Sequence, residues 1–115
     1  MQQKIFIKLF LIGLLFSGCA YYNTFFNAEE NYRVGLEKKQ NDKNEKMPPD
    51  IVRHFNSAIA KSWSIIDFYG DSSRWADDAL LMIGKSHYQL EEYDKSQEIL
   101  ESFLQKYYRS DLIPE

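Results

Sequence analysis

The sequence predicts an all-α chain, and three observations carry that prediction. Five Gly and three Pro among 115 residues leave few turn signals, and runs of β-type alternation are scarce. Apolar residues at 44% and aromatics at 16% supply enough surface for a packed core, so a wholly disordered chain is not expected. From Asp71 to Ser110, two apolar stripes recur at three- and four-residue steps, the period of an amphipathic helix. The length allows one domain at most.

Residues 1–18 come first. Lys4 and Lys8 open the chain, an apolar run extends from Leu9 to Phe16, and Ser17-Gly18 precede Cys19, the only cysteine. Order and size are those of a secretory signal, shorter than a comfortable membrane span. The segment resembles the lipobox of bacterial lipoproteins, with Phe16 where Leu is more usual. That resemblance implies cleavage before Cys19, diacylation of Cys19 and anchoring without crossing the bilayer. Ala20, which is not Asp, then points to the outer membrane, periplasmic face. The alternative is an uncleaved signal anchor with an incidental cysteine. Without Lys4 and Lys8, the 14 basic residues fall to 12 against 17 acidic, a net charge of −5. Such a body does not suit nucleic acid, whose phosphates require clustered Lys and Arg.

The first helix is expected near 21–37, where Tyr21, Phe25, Ala28, Tyr32 and Leu36 share a face. These rings either pack as core, the preferred reading, or form an interfacial belt beside the anchor. Residues 38–49 mix charges of both signs without periodicity and read as a loop. Pro48-Pro49 end it and suit the start of a second helix near 50–69. Ile51, Phe55, Ala58, Ile59, Ile65 or Ile66, and Tyr69 mark that helix's buried face, and Gly70 suits a left-handed C-cap.

The third helix, near 73–90, carries Trp75, Ala79, Leu80, Ile83, His87 and Leu90 on one face, with Ser72 or Ser73 as its cap. The fourth, near 93–108, carries Tyr93, Ser96, Ile99, Leu100, Phe103, Leu104 and Tyr107. Only Glu91 and Glu92 separate them, which forces an antiparallel hairpin. Glu91, Glu92 and Asp94 also complement the positive end of the fourth helix.

This hairpin resembles a tetratricopeptide repeat (TPR). Leu80, Ile83-Gly84, His87-Tyr88, Ser96, Leu100 and Tyr108 fall at the repeat's consensus spacings. Gly84 is the residue matching the consensus in type, and its use inside a helix implies close approach by a neighbour. Phe55, Ala58, Ile65 and Tyr69 recur as Tyr93, Ser96, Phe103 and Tyr107 at an offset of 38 residues. Ser62 stands where Leu100 stands in the later unit. The expected architecture is therefore a TPR-like α-solenoid of about two hairpins, filling 19–115 after a cleaved lipoprotein signal. The offset, longer than the usual 34, and the lipidated start also resemble the BamD-like outer-membrane assembly lipoproteins.

No catalytic or metal-ligating constellation emerges. His54 and His87 lie on different helices, and Asp77-Asp78 and Glu91-Glu92 diverge as sequence neighbours. The family's concave groove implies Asp78, Lys85, Tyr88 and Gln89 as partner-binding residues, with Asn27 and Arg33 as lesser candidates; a merely solvated face is the competing reading. The function expected is a non-enzymatic, lipid-anchored periplasmic scaffold. It would hold an envelope protein or peptide segment, without nucleic acid and with no cofactor beyond the lipid on Cys19. The alternatives are self-association through an open C-terminal end bearing Leu112 and Ile113, or a front piece of a longer solenoid.

Overall fold

The helical period in the sequence becomes four α-helices in a computed structural model that describes residues 2–107, less the side chains of residues 13–20. They are α1 (Gln2–Asn41), α2 (Pro49–Tyr69), α3 (Ala76–Gln89) and α4 (Tyr93–Lys106). The side chain of Cys19, together with Tyr108, Leu112 and Ile113, lies outside the described residues. Consecutive helices pack on one another, and α1 also reaches α3. The chain is therefore all-α and laid out as two successive helix pairs, within extents of 67 × 30 × 22 Å.

The long dimension comes from α1. The apolar run of residues 5–16 is itself helix-forming and continues without a break into the aromatic face expected at 21–37. Forty residues at about 1.5 Å each make a rod of roughly 60 Å, far longer than its packing partners. Ile5, Phe6, Ile7, Leu9, Phe10, Leu11 and Ile12 are consequently exposed. At its other end α1 runs past 37, and the loop shrinks to 42–48. Lys38 reaches Asp50 at 2.9 Å and Lys39 reaches the Gln89 carbonyl at 2.6 Å, so tertiary partners hold a turn that lacks apolar periodicity.

Pro48 and Pro49 open α2 as expected, Pro48 extended at the N-cap and Pro49 in the first turn. Gly70 closes it with a positive φ of 88° and its N–H on the Ile66 carbonyl at 2.8 Å. Its ψ of 154° extends the chain instead of completing a left-handed cap.

The expected serine cap of α3 does not form. Residues 71–75 make turns, with the Ser73 N–H on the Gly70 carbonyl and the Ala76 N–H on the Ser73 carbonyl, each at 3.2 Å. Trp75 decides this geometry. Its ring stacks on Tyr21 at 4.7 Å and meets Tyr69 edge-on at 4.4 Å, which delays the start of α3 to Ala76.

Between α3 and α4, Glu91 takes a left-handed φ of 64°. The Glu92 N–H bonds the His87 carbonyl and the Glu91 N–H bonds the Tyr88 carbonyl, both at 3.0 Å, the pairing of a Schellman ending. Glu91 thus terminates α3 and does not serve the start of α4. Glu92 occupies the N-cap of α4, but its carboxylate turns to His87 and Lys95 and caps no backbone amide.

Two apolar clusters form the core. Tyr21, Ile65 and Ala79 gather Phe25, Tyr69 and Trp75, while Leu80, Ile83 and Phe103 gather Ile59, Leu81, Ile99 and Tyr107. Ile66 borders both, joining the two helix pairs through α2. Of the expected α3 stripe Ala79, Leu80 and Ile83 are buried and Trp75, His87 and Leu90 are half-buried, while on α4 Tyr93 and Leu104 face outward, 56% and 51% exposed.

Candidate functional site

The groove begins with helix periodicity. On α3, Asp78, Lys85 and Gln89 lie seven and four residues apart, so their side chains leave one side of the helix within about 40° of each other. The structure turns that side toward α1. Phe25 and Glu29 of α1 and Asp78, Leu81, Met82 and Lys85 of α3 line a cleft of about 150 Å³. From Asp78 to Gln89 the seam runs roughly 16 Å, eleven helical rises.

Each polar residue of the seam meets a group from α1. The Tyr21 hydroxyl donates to the Asp78 carboxylate at 3.3 Å. Burial, then the neighbouring charge of Asp77, raises the Asp78 carboxyl above the ordinary aspartate range, while the bond from Tyr21 pulls it down. Burial and the same carboxylate push the Tyr21 phenol upward. The Lys85 ammonium sits 4.9 Å from the centroid of the Tyr32 ring, a cation–π contact. Lys39 binds Gln89 at both its carbonyl, 2.6 Å, and its side-chain oxygen, 3.3 Å. The result is an acid, a cation and an amide in line, flanked by apolar Phe25 and Leu81.

Tyr88 is not part of this seam. It lies about 80° around α3 from Asp78, one residue short of the shared face. Its exposed ring meets Tyr93 edge-on at 5.4 Å and faces α4, where Tyr88, Tyr93, Leu100 and Leu104 border a second, apolar groove. Met82, which lies outside the apolar stripe of α3, is buried at 7% exposure, in the cleft it shares with Phe25 and Glu29 of α1. Arg33 is committed to Glu30 and to Glu37, the latter at 3.1 Å, on exposed α1 surface. The Asn27 carbonyl accepts from Asn31. Lys39, Tyr21 and Tyr32 complete the seam. Lys39 sits in a stretch that reads as loop, and Tyr21 and Tyr32 read as core or interfacial belt, so nothing local marks them as partners of α3.

Close packing in the second pair rests on Gly84. A Cβ there would stand 2.5 Å from Leu100 Cδ2 and 2.8 Å from its Cγ, and the buried Ser96 hydroxyl donates to the Gly84 carbonyl at 2.8 Å. In the first pair Gly35, which drew no notice in the sequence, plays the corresponding part. Its Cβ would meet the Phe55 ring at 3.1 Å.

Among the described residues no three of His, Cys, Asp and Glu come together as a metal site, and no helix is long and apolar enough to cross a membrane. His87 is half-buried with Nδ1 3.1 Å from Glu92 Oε1, and His54 Nδ1 lies 3.2 Å from Asn31 Oδ1. Compared with protein-family models, with curated proteins and with solved structures, the chain matches none of them.

Proposed function

We propose that the chain is a non-enzymatic, lipid-anchored scaffold of TPR type at the periplasmic face of the outer membrane, which holds a short segment of an envelope protein between α1 and α3. The observation that carries this reading is the cleft lined by Asp78 and Lys85 beside Phe25 and Leu81, with the Lys39–Gln89 pair beyond its end. A lined-up acid, cation and amide beside apolar rings suits backbone and side-chain contacts with a peptide better than the convergent geometry a reaction requires. The cleft between Asp78 and Lys85, about 10 Å long, accommodates roughly three extended residues. The Gly84–Ser96–Leu100 junction supports the repeat reading, and the lone Cys19 after Ser17-Gly18 supports the anchor. By analogy with BamD-like lipoproteins, outer-membrane protein assembly is the pathway proposed.

The test is photo-crosslinking in cells from a probe replacing Lys85, with Cys19 intact. A discrete adduct with an envelope protein, abolished by Asp78→Lys, is the expected outcome; barrel-assembly components among the adducts would fix the pathway. No adduct from a correctly located protein would overturn the groove. Cys19→Ala should abolish palmitate labelling and release the protein from membranes.

A second reading, a self-associating structural lipoprotein, is favoured by the apolar groove on the outer side of α4, where Tyr93 and Leu104 stand exposed.

A further inference from the structure

The aromatic residues at the start of the bundle divide into two sets that sequence periodicity alone does not separate. Tyr21 is buried, stacked on Phe25 at 5.7 Å and on Trp75 at 4.7 Å, and met edge-on by Tyr69. Tyr22 and Phe26, one position further around α1, are exposed at 67% and 60%. On the opposite flank, Phe68 from the last turn of α2 is the most exposed large apolar residue there, at 77%. Phe68 and Tyr69 share a largely apolar groove with Thr24 of α1, which places them at the level of residues 21–26. Aromatic side chains from α1 and α2 therefore stand outward on both sides of α1 at one level.

That level is the point at which α1 leaves the bundle. Residues 5–12 beyond it are exposed, with no helix packed on them among the described residues, and on the anchored reading they belong to the segment removed before Cys19, so the bundle starts at this level. Cys19 is two residues before Tyr21 and seven before Phe26, so the whole ring lies within about 10 Å of it along the helix. Cationic residues do not cluster here. Arg74 lies over the Trp75 ring at 4.8 Å and Lys106 beside Asp71 at 3.7 Å, while Asp67 and Asp71 are acidic. Attraction to anionic lipid is thus not the design; the Tyr22 hydroxyl suits the neutral, zwitterionic headgroup zone, while the apolar rings of Phe26 and Phe68 suit the boundary just below it.

We infer that Tyr22, Phe26 and Phe68 form a collar that seats this end of the bundle in the headgroup layer of a zwitterionic bilayer, fixing how the α1–α3 cleft stands above the membrane. Tyr69 and Trp75 back the collar from inside, joining its α2 side to the core. The inference rests on the anchored reading proposed above and adds orientation to it. An anchor at a single residue leaves the body free to tumble on its tether; a collar engaging lipid on both sides of α1 does not.

The test uses the mature lipidated protein extracted from membranes, carrying Trp63→Phe so that Trp75 is the sole tryptophan reporter, and returned to phosphatidylcholine vesicles. Quenching of Trp75 by lipids brominated near the headgroup should exceed quenching by lipids brominated deep in the chains. Tyr22→Ser with Phe26→Ser and Phe68→Ser should cut the shallow quenching several-fold while the protein still floats with the vesicles. These side chains are exposed, so circular dichroism should be unchanged; Phe68→Ser alone provides a milder variant with the same direction of effect. A floating protein whose Trp75 is unquenched, or whose quenching ignores the serine variants, would overturn the collar and leave the anchor standing. A protein that fails to float with vesicles would overturn the anchor, and the collar with it.

Discussion

Asp78 is held by opposing influences, and its burial has a consequence that pH can reveal. The folded protein binds the Asp78 proton more tightly than the unfolded chain does, since desolvation and Asp77 disfavour the carboxylate. The folded state therefore carries more protons as pH rises from about 4, the ordinary aspartate value, to the raised folded value, and stability falls across that window. Asp78→Asn removes that loss and keeps an oxygen for Tyr21. Thermal melts should show the variant more stable than the parent at neutral pH, with the gap closing near pH 3, below the ordinary aspartate value. An equal gap at both pH values would contradict the account. Glu92 has the opposite sign. His87 and then Lys95 hold its carboxyl below the usual range, so its contribution is present at neutral pH and is lost as pH falls through its folded value. Serines provide a second contrast at this scale. Ser62 and Ser86 are fully buried, and among the described residues their hydroxyls have no hydrogen-bond partner, whereas Ser96 donates to Gly84. Ser62→Ala and Ser86→Ala should each be neutral or stabilising by up to about 1 kcal/mol, while Ser96→Ala should cost about 1 kcal/mol, read from urea melts.

Helix pairs depend on how closely their axes approach. Gly84 allows Leu100 to lie against the α3 backbone, and no larger residue fits without displacing it. Gly84→Ala gains about 1 kcal/mol of helix propensity but crowds Leu100, which typically costs about 1–3 kcal/mol. The net effect should be destabilising by about 1 kcal/mol. In a Leu100→Ala background the crowding is gone, and the same Gly84→Ala change should become stabilising by about 1 kcal/mol. A change of the same sign in both backgrounds would show that Leu100 is not what limits the approach. Helix ends followed a different logic. The start of α3 was set by Trp75 packing on Tyr21 and Tyr69, and the end of α1 by Lys38 and Lys39 reaching other helices.

At the scale of the molecule, unpaired apolar surface lies in two places, the start of α1, where the collar remains once the segment before Cys19 is removed, and the outer side of α4. Burial of either requires something outside the four described helices. If the α4 groove is covered by a second copy, association should depend on concentration and weaken at least tenfold in Leu104→Glu, because a buried charge would replace an apolar contact. Analytical ultracentrifugation of the parent and the variant decides this. A parent that stays monomeric at high micromolar concentration would remove the self-association reading and leave the α1–α3 cleft as the docking surface.

What the sequence determined by itself was the all-α class, the α3 stripe from Ala79 to Ile83, the tight α3–α4 hairpin and the helix opening at Pro49. Each follows from periodicity, chain geometry or a missing N–H, which are local properties. Gly84 was legible too, because a glycine inside an amphipathic helix signals a close neighbour. Tertiary structure alone decided which sides of the helices meet. It placed Asp78, Lys85 and Gln89 against α1, sent Tyr88 to the side of α4, buried Met82 and exposed Tyr93 and Leu104. It also recruited Lys39 from a stretch with no helical pattern and separated Tyr21 from Tyr22. The physical reason is that a helix's own spacing fixes which residues share a side, while the partner facing that side depends on the packing of residues far apart in the chain.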